Sequence, residues 1–188
     1  MNYASALATL ALCSLLAACG HDTDGQSIDF GGGMHLSHGG IRAGDGQITL
    51  LAPHAPNAVI NANGDLQIDQ QPVAVDPAVR DLLKSYYQNA ITVRTDGIAT
   101  GKAGAAVGKE AVRSVMSSLS SGNTDQIKQQ VEAKAQLVKQ SALKLCDDLG
   151  GIQAAQDHLV AQLPAFQPYG HIVSGDDVND CRHDTSVR

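Results

Sequence analysis

Histidine, cysteine and paired carboxylates are the side chains here whose spacing could support chemistry. His35 and His38 stand in a glycine-flanked segment, Gly31-Gly32-Gly33-Met34-His35-Leu36-Ser37-His38-Gly39-Gly40. On a strand, residues three apart point to opposite faces, so these imidazoles share one ion only if the glycines fold the loop back. With His21, Asp22 or His54 they make a weak candidate transition-metal site, and a solvated Gly/His loop is the plainer reading. Gly104-Ala105-Ala106-Val107-Gly108-Lys109 invites comparison with a phosphate-binding loop, which needs four residues between its glycines and Ser or Thr after the Lys. Here three intervene and Glu110 follows, so helix packing accounts for the glycines better. Asp147-Asp148 are adjacent in sequence, which establishes no glycosidase pair. Asp176, Asp177, Asp180 and His183 around Cys181 read as a solvated acidic tail, without the Gly and terminal Glu of a calcium-binding loop. There is no Gly-x-Ser-x-Gly elbow and no His-Glu-x-x-His helix. No catalytic residue, cofactor or established metal ligand is assigned, and the expectation is a protein without enzymatic activity.

Covalent chemistry is signalled at the N-terminus instead. The apolar run from Ala4 to Ala18 is too short to span a bilayer and has the length of a signal-peptide core. Leu16-Ala17-Ala18-Cys19 then resembles the bacterial lipobox, with small residues at the two positions before the cysteine. Cys13 competes, but Leu12 before it is too bulky for a signal peptidase's small-residue pocket. The n-region, Met1-Asn2-Tyr3, departs from the pattern in having no Lys or Arg. The resemblance implies cleavage after residue 18, acylation of Cys19, and a polar tether over 19–27 leading from the membrane. Gly20, where an inner-membrane lipoprotein would carry Asp, implies the periplasmic side of the outer membrane. An oxidising periplasm would pair Cys146 with Cys181, the only other cysteines left after cleavage. The bridge would close 35 steps of chain, worth roughly 4 kcal/mol in the chain-entropy model. Its rival, two thiols sharing a metal, finds no nearby ligand pair with zinc-site spacing.

The 188 residues carry 13 basic and 19 acidic side chains, a net charge of −6. That balance, with no Lys/Arg cluster, argues against nucleic acid and against electrostatic attachment to anionic lipid. Trp is absent and aromatics are few, so the core is expected to be built from Ala, Val, Leu and Ile.

The elements that must position these residues fall in two blocks. From Ile28 to about Val75 short β segments are punctuated by Gly and Pro: Met34–Ser37, Gln47–Leu51, Val59–Ala62, Asp65–Ile68 and Pro72–Val75. Asn63-Gly64 reads as a two-residue type I′ hairpin turn, which sets Asn61 opposite Leu66 and Val59 opposite Ile68. Asp76-Pro77 then opens a helix, Asp as N-cap and Pro at the first helical position. Its stripe Val79, Leu83, Tyr86, Ala90, Val93 continues in phase onto Gly97, Gly101, Gly104 and Gly108, then Ala111, Val115 and Leu119. The phase favours one long helix or two coaxial ones meeting near Thr95-Asp96-Gly97. Each interior Gly costs about 1 kcal/mol relative to Ala, so this helix-packing face needs a close neighbour. That neighbour is either internal, the next helix or the sheet, or an external partner or second copy. Asn123 and Gln126 form a capping box for the next helix, which Gly150-Gly151 is expected to stop. A short helix follows from Ile152 to Leu163, closed by Pro164, and 165–188 reads as an extended tail held by Cys181.

The order of these segments, with Ala62-Asn63-Gly64-Asp65-Leu66-Gln67-Ile68-Asp69, Arg80-Asp81-Leu82-Leu83-Lys84-Ser85-Tyr86-Tyr87 and the glycine-striped helix, is similar to the YggN-like family of Gram-negative envelope proteins. The resemblance covers roughly residues 28–160 and rests on pattern order. It implies no catalytic residues, because the family has none assigned.

The expected fold is α+β: a small antiparallel β-meander (28–75), then two long helices and a short one (76–163), then a disulfide-stapled tail (164–188), all one domain. The expected function is a lipid-anchored periplasmic protein acting through protein contacts. The alternative is an envelope module that binds a metal or small ligand through residues 31–40.

Overall fold

Alternating apolar residues and tight turns make the first block a meander. The computed structural model describes residues 28–29, 33–36, 38–121 and 124–187. Seven antiparallel strands lie in sequence order: β1 (Ile28–Asp29), β2 (Gly33–Leu36), β3 (Gly39–Gly44), β4 (Gln47–Leu51), β5 (Ala58–Asn61), β6 (Leu66–Ile68) and β7 (Gln71–Val73). Ile41, Ile48, Leu50, Ala58, Ile60 and Leu66 are buried on the sheet's inner face.

Sequence reasoning misses β3, which opens on two glycines and brings only Ile41 to the core in its first half. The signal that could have found it is Asp45-Gly46: both residues have positive φ (51° and 73°), closing a two-residue hairpin between Gly44 and Gln47. The Asn63-Gly64 hairpin forms, but in a register one residue away from the expected one. Ile60 pairs with Leu66 and Ala58 with Ile68. The side chain of Asn61 causes the shift. Its Oδ1 accepts from the backbone N–H groups of Asn63 (2.9 Å) and Asp65 (3.0 Å), which makes an Asx-type turn with positive φ at Gly64 alone of the two turn residues. The shifted register turns Ile60 inward and leaves Val59 half-buried, so burial of the larger side chain agrees with the turn.

The hairpin tip is clamped to the first helix. A Cβ at Gly64 would lie 2.4 Å from the Arg80 carbonyl oxygen, so only glycine lets the two backbones approach this closely. Arg80 pairs with Asp65 across the same contact. The Asn61 hydrogen bond, then that of Arg80, holds the Asp65 carboxyl below the usual carboxylate range.

Helix α1 runs unbroken from Pro77 to Ser121, 45 residues or about 67 Å. Asp76 caps it as expected, its Oδ1 accepting from the Val79 N–H at 2.9 Å. Val79, Leu83, Tyr86, Ala90 and Val93 are buried and α1 packs on β3, β4 and β5. The Asn123 cap of the next helix lies outside the described residues.

Helix α2 spans Thr124–Gln162, and here the structure corrects the sequence reading. Gly150-Gly151 does not stop the helix; it lies inside it. A Cβ at Gly151 would come 3.0 Å from Asn89 Nδ2 of α1, and one at Gly150 would touch Val178 and Arg182 at 3.7 Å. The pair lets two other helices press on α2, so packing overrides a local stop signal. The expected short helix from Ile152 is therefore the end of α2, whose Leu149, Ile152, Ala155 and Leu159 complete the core.

Nor is the tail extended. A 3₁₀ turn, Pro164–Tyr169, buries Phe166 against Tyr86 and Tyr169 against Phe166, and a third helix, α3, occupies Gly175–Val187. Gln156, fully buried, donates to the Gly170 and Val173 carbonyls and accepts from the Val173 N–H, satisfying the turn between them. Ser174 and Asp177 cap α3 reciprocally. Asp177 is thus a buried cap and no part of a solvated tail. The Cys146–Cys181 disulfide ties α3 to α2 with Cα atoms 5.6 Å apart. The α+β architecture stands, with α3 as the short helix.

Candidate functional site

Burial divides the two long helices. Among the residues whose burial is described, every buried position on α1 lies at or before Gly97, and every one on α2 at or after Cys146. None of residues 98–113 and 129–145 is buried. The distal halves of α1 and α2 thus form a two-helix arm, about 36 Å long on the α1 side, beyond the sheet's footprint. They are held to each other by Lys134–Glu110 and, at the root, by Lys144, which bonds Asp96 at 2.7 Å and Asp148 at 2.8 Å. Those bonds, Asp148 first, push the Lys144 ammonium pKa well up. The arm is loosely filled. A 250 Å³ groove between its helices is lined by Ala103, Ala106, Val107, Leu137 and Val138 among others.

The glycine stripe crosses the boundary between body and arm. Gly97 is buried, with Leu145 Cδ2 3.9 Å from where its Cβ would be. Gly101 is half-buried. At Gly104 and Gly108 an added Cβ would meet nothing within 4 Å. Among the described residues an internal neighbour meets the face at Gly97, and the face is open at Gly104 and Gly108. Beside it Val112 is 64 % exposed.

The other sequence candidates separate. Cys19, His21 and Asp22 lie outside the described residues. His35 is on β2 opposite Gly40, its side chain outside the described set, while His38 sits exposed in the turn that follows. His54 is exposed in the β4–β5 connection. Among the described residues no three of His, Cys, Asp or Glu come together as a metal-binding group. Residues 104–109 are continuous helix, so no loop is there to wrap a phosphate. Asp147 and Asp148 point to different partners, Arg182 and Lys144. No described helix is long and apolar enough to cross a membrane.

A feature the sequence reading overlooked is how unevenly charge is spread. Residues 98–145 hold seven Lys or Arg against three Asp or Glu, a balance of +4, and since the whole chain carries −6 the remainder carries −10. Lys102, Lys109 and Arg113 are exposed, follow one side of α1 at spacings of seven and four, and have no side-chain partner among the described residues. The whole-chain total concealed this basic row; a windowed charge count would have shown it. No protein-family model, curated protein or solved structure matches this chain.

Proposed function

We propose that this is a lipid-anchored, non-enzymatic envelope protein that works through protein contacts made by the two-helix arm. The observation that carries this reading is the open face at Gly104 and Gly108. Two glycines inside a helix weaken it by about 2 kcal/mol relative to alanine, and nothing among the described residues occupies the space they leave. A neighbouring polypeptide approaching closely would use that space. The lipobox-like Leu16-Ala17-Ala18-Cys19 supports anchoring, with Gly20 favouring the outer membrane, and the Cys146–Cys181 bridge suits an oxidising compartment. Membership of the YggN-like envelope family is part of the same proposal, supported by the order of strands, hairpin and glycine-striped helix. No observation on the described residues favours the metal-binding alternative.

The test is photo-crosslinking in the intact envelope, with a photoreactive side chain at Val112 and a control at Gln67, exposed on the sheet. Protein adducts at Val112 and none at Gln67 are expected. Absence of any protein adduct at Val112 would sink the reading. Separately, Cys19→Ser should move the protein from the membrane to the soluble fraction; retention on the membrane would remove the lipid anchor from the proposal.

A further inference from the structure

We infer that the partner covering the arm is a second copy of this chain, and that the basic row of each copy lies against an acidic row on the other. The inference rests on the protein-contact reading above and names the partner. The acidic row is on α3: Asp176, Asp180 and Asp184 recur every four residues and all are exposed. Asp176 and Asp180 have no partner among the described residues, and Asp184 has only His183, at 3.9 Å. The basic row is Lys102, Lys109 and Arg113, equally unpaired. At a helical rise of 1.5 Å per residue the rows are about 12 Å and about 16 Å long, so they can pair side by side.

Within one chain they do not meet, because α3 packs along α2. The chain therefore displays both halves of a charge-complementary contact and closes neither. In a two-fold dimer the contact forms twice, once in each direction, which uses all six side chains of each copy.

The build of each row fits this use. Helix α3 is fixed before any partner arrives by the disulfide, the Ser174–Asp177 cap and the Arg182–Asp147 pair at 3.0 Å, so little order has to be gained on association. The basic row stands on one unbroken helix, roughly 100° or more around α1 from Gly104 and Gly108, so the charge contact uses a different side of the arm from the glycine face. An anionic lipid surface would satisfy the charge but gains little from this face. Residues 98–145 contain no Phe, Tyr or Trp to enter a membrane interface.

Charge-dominated contact between exposed rows is screened by salt, so the dimer should be weak and salt-sensitive. The experiment is sedimentation velocity on the secreted chain carrying Cys19→Ser, at roughly 0.05 M and roughly 0.5 M salt. A dimer at low salt that dissociates at high salt is expected. The triple variant Lys102→Glu/Lys109→Glu/Arg113→Glu should weaken dimerisation at least about tenfold, as should Asp176→Lys/Asp180→Lys/Asp184→Lys. Mixing the two variants should restore a dimer, because each then offers the charge the other lost; circular dichroism confirms that both are folded. A chain that stays monomeric at low salt overturns the inference, as does a dimer indifferent to both variants or a mixture that fails to associate. A monomeric chain whose arm crosslinks to a different protein removes the second copy but leaves the protein-contact reading intact. A monomer that instead floats with anionic vesicles, without protein adducts, ends both.

Discussion

The body and the arm of this molecule are made from the same two helices, yet different forces hold them. In the body α1 and α2 are covered by the sheet, the 3₁₀ turn and α3, and the contact surface is Ile, Leu, Val and aromatic side chains at zero or a few per cent exposure. In the arm the described residues show the two helices against each other and, on α2, the end of α3, where Lys139 donates to the Ser186 carbonyl at 3.0 Å. The apolar stripe of α1 keeps its phase from Val79 to Gly108, but its side chains shrink to nothing where the sheet ends. Charge changes with it, from acidic body to basic arm. A helix can therefore be continuous while its two ends do different work: the body is stabilised by burial, and the arm is left to depend on helix propensity, ion pairs and whatever it meets.

Substitutions in the two regions should separate them by several kcal/mol. Leu83→Ala in the fully buried core is expected to cost about 3–5 kcal/mol, whereas Leu137→Ala, at a position 63 % exposed, should change stability by less than about 0.5 kcal/mol in urea denaturation. Equal costs would mean the arm is packed in solution. Opening the Cys146–Cys181 bridge by Cys181→Ser should cost about 2–4 kcal/mol, and hydrogen exchange should speed up in α3 before it does in the sheet. Uniform acceleration would instead make α3 part of the body's cooperative unit.

A smaller effect concerns a flaw inside the body. The Tyr86 hydroxyl is fully buried without a hydrogen-bond partner among the described residues, and burial pushes its ionisation well above the ordinary phenol value. Its folded pKa is raised, so its contribution is complete below the unfolded value of about 10 and is lost as pH rises beyond it. Tyr86→Phe should stabilise the protein by about 1 kcal/mol near neutrality and flatten the decline in stability above about pH 10. The smallest expected change is in the arm. Gly104→Ala and Gly108→Ala should each gain up to about 1 kcal/mol of local helix stability, seen as slower amide exchange at high salt. Faster exchange would show that something already packs on that face within the chain.

Several of these features were legible in the residues. Asp76-Pro77 specified a helix start that tertiary packing left unchanged, because the Asp76 cap is satisfied within its own turn. The two late cysteines paired, and of the two alternatives the in-phase stripe left open, one long helix or two coaxial ones, α1 is the single helix. Three readings failed where a local preference of about 1 kcal/mol met a larger non-local contact. Gly150-Gly151 was read as a helix end and is a crossing point. The Asn63-Gly64 hairpin gave up its expected register to bury Ile60 and to use the Asn61 side chain. Residues 165–188 looked polar and extended, but α3 forms with Val178 buried against the body and Cys181 tied to α2. The candidate surface was half visible: the glycines were noticed, while the basic row was hidden in the whole-chain charge.

By itself, then, the sequence determined the order of β and α blocks, the start of α1, the cysteine pair and the line of glycines. Each of these depends on neighbours in the chain or on simple counting. Only the tertiary structure decided which of those glycines touch anything, which tail residues fold, and that one pair of helices makes both a packed body and an open arm. Those outcomes depend on how far the sheet extends beneath α1, and that limit is set by the contacts of residues far apart along the chain.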